Sequence, residues 1–349
     1  MSDLSRLMAT RPVFDAHADS LQLALDLGRD HGERGAGHLD LVRGREGGLG
    51  SLVFVSWCDP KFIDAGPHGA RDRTRGLLRE FHRLAERHPA QVSFAGNAVE
   101  LARARANGRL AGIPGIEGGH SIEGSLEGAG IPEGLSDFGR TVVRRMNELG
   151  IVIDLSHAGR QSFFDTLETT QKPVIASHSG CMAVNAHQRN LDDEQLRALA
   201  ANGGVVGIVF CTPFLDAAAR AEEQRLRETA EYKALRGAND TELFLAQCEF
   251  LQRAAVPLPL ERVLDHLCHA VEVAGIEHVG LGSDYDGIQR TPQGLEDAST
   301  YPALAAGMAR RGFREDEISL VLGGNMERVY AAVTGPGSAA ASSRLLPVD

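Results

Sequence analysis

The chain has 349 residues, which is enough for one large α/β barrel or for two smaller domains. Its composition, with 43% hydrophobic and 24% charged residues, 40 glycines and 14 prolines, predicts a soluble globular protein with many tight turns. The formal net charge of −11 argues against a nucleic-acid partner, because phosphate binding requires clustered lysines and arginines.

The cysteines and the N-terminus indicate the compartment. The five cysteines are odd in number and contain no C-x-x-C pair, which argues against a disulfide framework and favours a reducing compartment. The first 14 residues carry no apolar run of signal-peptide length, and no stretch approaches the roughly 20 apolar residues of a membrane span. We therefore expect a cytoplasmic protein that does not bind a membrane.

Short apolar runs rich in β-branched residues recur along the chain, and most are followed by a helical pattern. The sequence predicts strands at residues 13–18, 51–57, 110–117, 151–157, 173–178, 204–210 and 278–284. It predicts helices at residues 69–88, 97–106, 134–149, 160–169, 191–201, 219–252 and 259–274. Because continuous apolar strands alternate with amphipathic helices, we expect a parallel sheet covered on its faces, most simply an α/β barrel with its site at the carboxyl ends of the strands.

The chain shows one domain rather than several. It contains no repeat of fixed period and no internal linker of low complexity, so we expect a single barrel domain over residues 1–335. Residues 336–349 are small, polar and interrupted by Pro and Gly, which predicts a loosely held tail. The segment 211–257, rich in Arg and Glu, is predicted to form an extended surface helix or a lid.

The stretch "VFDAHAD" at residues 13–19 places His17 and Asp19 two positions apart. On a strand such residues project from the same face, so both side chains would reach toward one point. Alone the pair is weak evidence for a metal site. Further candidate ligands, however, stand at the carboxyl ends of other predicted strands, and in a barrel these positions converge on one mouth: Glu117, His157, His178 and Asp284.

The set formed by His17, Asp19, Glu117, His157 and His178 has the composition expected for one or two borderline divalent metals such as zinc. Five ligands exceed the three that a catalytic zinc usually takes from protein, whereas two metals that share one carboxylate accommodate all five. Glu117 is the expected bridge, because it stands alone at its strand end among glycines. His17 and Asp19 would hold one metal, and His157 with His178 the other.

A nucleophilic serine is the competing chemistry, since "LSH" and "ASH" both place a serine beside a histidine. Adjacent residues on a strand point to opposite faces, so Ser156 and Ser177 cannot be activated by their own neighbours. The sequence contains no G-x-S-x-G elbow and no G-x-G-x-x-G that follows a strand and opens a helix. A metal centre is therefore favoured over a catalytic triad or a phosphate loop.

The motifs "DAHAD", "GIEGGHSIEGSL", "IVIDLSH", "PVIASHS", "QRNLDDEQL" and "GLGSDYDG" together resemble the membrane or renal dipeptidases, peptidase family M19, over roughly residues 10 to 332. The resemblance implies a distorted (β/α)8 barrel with two zinc ions bridged by Glu117, which hydrolyses dipeptides, often with a D-residue at the C-terminal position. It implies that Arg189 receives the substrate carboxylate and that Asp284 relays a proton. It also favours a homodimer.

The sequence departs from the family pattern after "EGGHSIEGSL". There "LEGAGIPEGLSDFG" runs directly into the next helix, so the fourth β/α unit, with a strand that ends in a substrate-contacting histidine, is missing. We expect seven recognisable strands and an opening in the barrel between the strands that end at Glu117 and His157. His120 is a poor candidate for the missing histidine, because it also occurs in family members that retain the unit.

Two alternatives remain open at the level of sequence. The loss of a barrel unit could leave a metal-binding or peptide-binding homologue with little turnover. The chain could instead be another amidohydrolase, such as a deaminase or lactonase. The His-x-Asp pair on the first strand argues against this second alternative, because those enzymes usually carry His-x-His there, and many use a modified lysine in place of Glu117.

Overall fold

The computed structural model describes Met8 and residues 11–64, 69–119 and 134–335. Within these residues seven strands form one sheet in which every neighbouring pair is parallel, in the order β3-β4-β2-β1-β7-β6-β5. The strands are β1 Val13–Ala18, β2 Leu49–Trp57, β3 Val92–Phe94, β4 Leu110–Glu117, β5 Ile175–Ser179, β6 Val205–Ile208 and β7 Val279–Leu281. The predicted α/β fold is confirmed.

Helices connect the strands and cover the sheet. They are α1 Leu21–Leu27, α2 Leu41–Glu46, α3 Gly69–Arg87, α4 Ala98–Ala106, α5 Asp137–Leu149, α6 Arg160–Thr169, α7 Asp193–Ala201, α8 Thr212–Leu215, α9 Ala217–Arg227, α10 Ala230–Lys233, α11 Asp240–Ala254, α12 Glu261–Ala274, α13 Tyr301–Arg310, α14 Glu315–Ser319 and α15 Asn325–Thr334. A π-helical turn, Leu320–Gly324, joins the last two. None of the described helices combines the length and apolar character that crossing a membrane requires.

The strand predicted at 151–157 is wrong in its extent. Only Asp154 forms a bridge, to Ile175. The carboxylate Oδ1 of Asp154 accepts hydrogen bonds from the backbone N–H groups of Ser156 and Ser177, both at 2.9 Å. Side-chain acceptors of this kind compete with a strand ladder for backbone donors, so the segment turns away after one bridge. In contrast, β3 was not predicted, because three residues are too short to show a period of two.

The helix predicted at 219–252 is also wrong. The structure breaks this part of the chain into α9, α10 and α11, with α8 before them. Thr229 and Asn239 each begin a new helix by accepting a hydrogen bond from a backbone N–H three residues later. These two capping residues, rather than the Arg and Glu pattern, decide where the helices start.

The sheet is strongly curved, and its strands bury residues on both faces. In β1, Val13 packs into the larger apolar cluster, whereas Phe14 packs into a second cluster with Ile113, Val205 and Val329. The curvature brings β5 beside β1, although β6 and β7 lie between them in the ladder.

The ladder of described strands ends at β3 and β5 and does not close. We find no pairing among the described residues between β4 and the segment 151–157. His120 and the rest of 120–133 lie outside the described residues, as do the predicted tail at 336–349 and residues 65–68. The absence of a fourth β/α unit therefore stays a prediction.

Candidate metal centre

The candidate ligands lie at the carboxyl edge of the curved sheet. His17 is in β1, and Asp19 follows that strand by one residue. Glu117 is the last residue of β4, and His178 lies one residue before the end of β5. His157 follows the bridge formed by the segment that was predicted as a strand. The structure brings all five side chains together, because parallel strands end on one edge.

Two groups of ligand atoms share Glu117. In the first, His17 Nε2 lies 3.4 Å from Asp19 Oδ2 and 3.3 Å from Glu117 Oε2. In the second, Glu117 Oε1 lies 2.8 Å from His157 Nε2, which is 3.0 Å from His178 Nε2. Within each group the ligand atoms all lie within 4.8 Å of one another. Glu117 thus presents one carboxylate oxygen to each group, as a bridging ligand must.

Several polar atoms of these groups are poorly satisfied by the protein. His17 Nε2 and Asp19 Oδ1 are buried and have no hydrogen-bond partner among the described residues. His157 Nε2 and His178 Nε2 face each other, although a neutral imidazole has only one N–H. Buried polar atoms are rarely left in this state, and a cation that binds their lone pairs would satisfy them. Imidazole and carboxylate ligands suit zinc and other borderline divalent cations, so these residues fit a metal centre.

The carboxylates make this edge of the sheet favourable for positive charge. Burial opposes protonation of His17, but the adjacent carboxylates of Asp19 and Glu117 raise its pKa well above the ordinary value. Burial also opposes ionisation of Glu117, yet its contacts with His157 and His17 lower the pKa of that carboxyl. Burial and the nearby charge of His17 lower the pKa of His178 well below the ordinary value. An ionised Glu117 and a neutral His178 are the forms that bind metals.

Asp284 lies beside both groups but outside a strand. Strand β7 ends at Leu281, so the predicted strand over 278–284 is too long, and it does not continue toward Asp286. Asp284 Oδ1 is 4.0 Å from His17 Nε2, and Asp284 forms a third group of candidate ligands with His17 and His178. Burial raises the pKa of the Asp284 carboxyl well above its usual range. The group can therefore carry a proton next to the ligand atoms.

Backbone strain is concentrated at this site. In the described part of the chain the non-glycine residues with left-handed backbone are His157 at φ 68°, Asp284 at φ 62° and Asp286 at φ 65°. Such conformations cost about 1–3 kcal/mol and persist where the surroundings fix them. Asp284 N donates to His17 O at 3.0 Å, and the Asp286 carboxylate accepts from His38 N at 2.5 Å. The first bond holds the loop after β7 against the end of β1, and the second holds it against the loop before α2.

Arg189 reaches the same edge from the loop after β5. Its Nη2 lies 3.0 Å from His178 Nε2, and its guanidinium stacks over Phe214 with Cζ 5.4 Å from the ring centroid. None of the ion pairs within 4.0 Å among the described residues involves Arg189. Apart from the donor that faces His178, the guanidinium thus keeps its donors available beside the ligand groups, and an anionic ligand would complement it.

Sequence reasoning missed two acids that support the ligands, the buried Asp15 and the exposed Asp154. The carboxylate of Asp15 accepts from His17 N at 3.1 Å, from Ser283 N at 2.9 Å and from the hydroxyl of Tyr301. Asp154 holds the other side of the site through its hydrogen bonds to the backbone of β5. Both acids stand inside otherwise apolar runs, "VFDAHA" and "IVIDLSH", and this pattern is the signal that could have identified them.

Comparison with known proteins agrees with this geometry. The chain is similar to a metallopeptidase from Rhodobacter sphaeroides, solved with a phosphinate mimic of the dipeptide L-Ala-D-Ala, at 26% identity and a TM-score of 0.74 over 92% of this chain and 99% of that one. It is similar to dipeptidase AC, a metallopeptidase of family M19, at 26% identity and a TM-score of 0.73 over 93% and 99% of the two chains. It shares the fold of the probable dipeptidase PvdM from Pseudomonas aeruginosa, at 21% identity and a TM-score of 0.79 over 95% and 97%.

The family model for membrane dipeptidase, peptidase family M19, matches residues 1–129 and 127–343. The two matches meet within the stretch where the sequence departs from the family motifs. Together they cover nearly the whole chain, which belongs to peptidase family M19, the membrane dipeptidases.

Proposed function

We propose that this protein hydrolyses the peptide bond of dipeptides with two divalent cations, which are zinc in the native enzyme. The observation that carries the proposal is the position of Glu117, whose two oxygens face two separate groups of ligand atoms. Membership of a dipeptidase family supports the reaction. The relative solved with a mimic of L-Ala-D-Ala supports dipeptides with a C-terminal D-residue as substrates.

The five ligands divide between the two cations. His17, Asp19 and Glu117 would hold one, and Glu117, His157 and His178 the other. Cations bound here would polarise the scissile carbonyl and lower the pKa of a water molecule from about 16 to about 7. The His157 side chain is half exposed, whereas His17 is 3% exposed. The His157 side of the centre therefore faces the solvent from which the substrate arrives.

Arg189 binds the terminal carboxylate of the dipeptide in this proposal. Its guanidinium is planar and can donate two parallel hydrogen bonds to a carboxylate. It lies against His178 and is stacked on Phe214, so its position is fixed relative to the ligands. This contact would restrict hydrolysis to the C-terminal peptide bond, because only there does the terminal carboxylate lie one residue from the scissile bond.

Asp284 moves the proton in this proposal. Its carboxylate lies beside His17 at the edge of the ligand groups, and its left-handed backbone is fixed by the hydrogen bond to the end of β1. Asp284 takes the proton of the attacking water and delivers it to the nitrogen of the leaving amine. A positioned acid–base group of this kind contributes about 10²–10⁴ in rate.

Metal analysis paired with a dipeptide panel tests the proposal. The purified protein is stripped with a chelator, reloaded with zinc, cobalt or manganese, and assayed against L-Ala-L-Ala and L-Ala-D-Ala. We expect two cations per chain and hydrolysis that returns with them. Glu117→Ala should lose both cations and all hydrolysis, because both groups share this carboxylate. Full metal content with retained hydrolysis in Glu117→Ala would refute the bridging role.

A second variant tests the carboxylate contact. Arg189→Met should raise KM for a dipeptide by roughly 10- to 100-fold, as expected for the loss of a charge-assisted hydrogen bond. The same variant should no longer distinguish the dipeptide from its C-terminal amide. Arg145→Met serves as the matched control, because Arg145 is an exposed arginine that pairs with Glu148 on α5. An Arg189→Met enzyme that still prefers the free carboxylate would exclude this role.

The same panel, extended with lactones and amino-purines, separates the alternatives. A wild-type protein that holds two cations but cleaves no dipeptide would favour the metal-binding or peptide-binding homologue with little turnover. Cleavage of lactones or deamination of amino-purines without peptide hydrolysis would favour another amidohydrolase. The His-x-Asp pair at His17 and Asp19 supports the dipeptidase over this last group.

A further inference from the structure

A single hydroxyl touches one candidate ligand of each cation. Ser177 Oγ lies 2.8 Å from Nδ1 of His178 and 3.4 Å from Nδ1 of His17. The two imidazole rings lie side by side, with centroids 3.8 Å apart. His178 is the neighbour of Ser177 on β5, whereas His17 reaches it from β1 because the sheet is curved. The Nδ1 atoms of both histidines therefore point to one oxygen, and their Nε2 atoms point away from it.

Asp154 determines the direction of these hydrogen bonds. Its Oδ2 lies 2.5 Å from Ser177 Oγ, and as a carboxylate it can only accept. Ser177 therefore gives its one hydroxyl proton to Asp154, which leaves its two lone pairs for the two Nδ1–H groups. The other oxygen of Asp154 accepts from the backbone N–H groups of Ser156 and Ser177, so the carboxylate itself cannot rotate. Ser177 Oγ also lies 3.4 Å from Ser156 Oγ, but the shorter contact with Asp154 takes the single hydroxyl proton of Ser177.

The hydrogen bonds fix which ring nitrogen is free to bind a cation. With Nδ1 protonated, each ring carries its lone pair on Nε2. These are the atoms that face the candidate site: His17 Nε2 lies 3.3 Å from Glu117 Oε2, and His178 Nε2 lies 3.0 Å from His157 Nε2. His17 belongs to one group of ligands and His178 to the other.

We propose that Ser177, held by Asp154, is a shared positioning residue that sets the tautomer and orientation of one histidine ligand in each of the two metal subsites. This role rests on the proposed binuclear centre and extends it. Sequence reasoning considered Ser177 only as a nucleophile, because its partners lie 160 and 23 residues away along the chain. Residues that orient metal-binding histidines typically affect metal affinity by 10- to 100-fold when they are replaced.

The test measures metal affinity without substrate. Zinc is titrated into the stripped protein against a competing chromophoric chelator, and the two binding steps are resolved. Ser177→Ala should weaken both steps by 10- to 100-fold, because each subsite loses the orientation of one ligand. Ser179→Ala is the matched control: Ser179 is buried on the same strand, and its Oγ has no hydrogen-bond partner among the described residues. It should leave both steps unchanged.

Further measurements distinguish positioning from a general loss of structure. The unfolding transition of stripped Ser177→Ala should match that of stripped Ser179→Ala, and Ser177→Thr, which keeps the hydroxyl, should restore at least part of the affinity. Nitrogen-15 NMR of the imidazoles in the zinc-loaded proteins should show Nδ1–H tautomers for His17 and His178 in the wild type and mixed tautomers in Ser177→Ala. Equal affinities in Ser177→Ala and Ser179→Ala, or weakening of one step alone, would overturn the proposal. Because no dipeptide is used, a protein that fails to hydrolyse dipeptides can still confirm it.

Discussion

The carboxylate of Glu117 and the glycine at position 287 set the width of the candidate site. Glu117 spans the two ligand groups with one oxygen each. Gly287 lies beside Asp19 and Asp284, where an added Cβ would collide with Oδ2 of Asp19 and would stand 2.5 Å from Oδ1 of Asp284. A residue without a side chain is therefore required at this position if both carboxylates are to reach the site.

We expect Gly287→Ala to weaken the affinity for the cation held by His17 and Asp19 by 10-fold or more while the protein still folds. The clash falls on the ends of two aspartate side chains, which can move, but only by leaving their positions beside the ligand groups. Zinc titration and thermal unfolding measure the two effects. Gly159→Ala is the control, because a Cβ there meets nothing within 4 Å. Wild-type zinc affinity in Gly287→Ala would contradict the requirement for glycine at this position.

Another residue-scale prediction concerns His266, which is buried away from the ligands. Its Nδ1 accepts from Cys181 N at 2.9 Å, and its Nε2 faces Leu215 O at 3.0 Å, so the neutral ring is fully satisfied. Burial lowers the pKa of His266 to about 4, whereas in the unfolded chain it is about 6.5. Between these values the unfolded chain binds a proton that the folded protein does not, so the free energy of unfolding falls as the pH drops.

From pH 7 to pH 5 this single residue should reduce the stability by roughly 2 kcal/mol, at 1.36 kcal/mol for each pH unit below the unfolded pKa. Urea denaturation of the stripped protein at both pH values measures it. The His266→Gln variant should be less stable at pH 7 but should lose about 2 kcal/mol less than the wild type on acidification. An identical loss in both proteins would show that His266 does not titrate in this way.

At the scale of elements, close contact between strands builds the curved edge. Gly207 on β6 and Gly282 just after β7 both approach the carbonyl oxygen of Ser177, and a Cβ at either position would overlap it. Ser177 adjoins His178 on β5, so the glycines allow this strand to bring its ligand to the site. The sequence shows these glycines inside apolar runs, where an isolated glycine indicates a close approach of another backbone.

Gly282→Ala should therefore destabilise the protein by about 1–3 kcal/mol or more and displace β5. The obstructing atom belongs to a strand backbone, which cannot move without breaking its pairing. Gly280→Ala, two residues earlier on β7, is the matched control, because its Cβ would meet the flexible side chain of Met326 at 3.0 Å. Thermal unfolding of the two stripped variants provides the comparison, and equal stability would argue against the close contact.

At the scale of the whole molecule, the candidate ligands connect distant parts of the chain. They come from β1, from β4, from β5 and from the turn that contains His157, and the described ladder does not close between β4 and that turn. Cations bound at this edge would join β4 to β5 and to the turn that contains His157, across the opening in the ladder. Metal binding would then contribute to the stability of the fold as well as to catalysis.

Chelation should lower the stability of the whole protein. A cation present at 100 times its dissociation constant stabilises the folded state by about 2.7 kcal/mol for each site. Two sites correspond to a decrease in melting temperature of more than about 5 °C when the metals are removed. Thermal unfolding with zinc and with chelator measures this difference. Glu117→Ala should show no such difference, and a wild-type melting temperature that is independent of metal would contradict a bound binuclear centre.

Local patterns in the sequence were sufficient to predict the α/β fold and the residues that meet at the carboxyl edge. Strand periodicity is local, and parallel strands end on one edge, so His17, Asp19, Glu117 and His178 could be brought together without coordinates. His157 was found by the same reasoning, although the strand assigned to it proved to be a single bridge and a left-handed turn.

The features that depend on contacts between residues distant in sequence are visible only in the folded protein. The carboxylate of Asp154 binds the backbone of Ser177, 23 residues away, and this contact replaces the predicted ladder at 151–157. The curvature that brings His17 to Ser177 across two intervening strands is likewise a property of the whole sheet. Hydrogen-bond competition and sheet curvature arise between segments, so no local period in the sequence can report them.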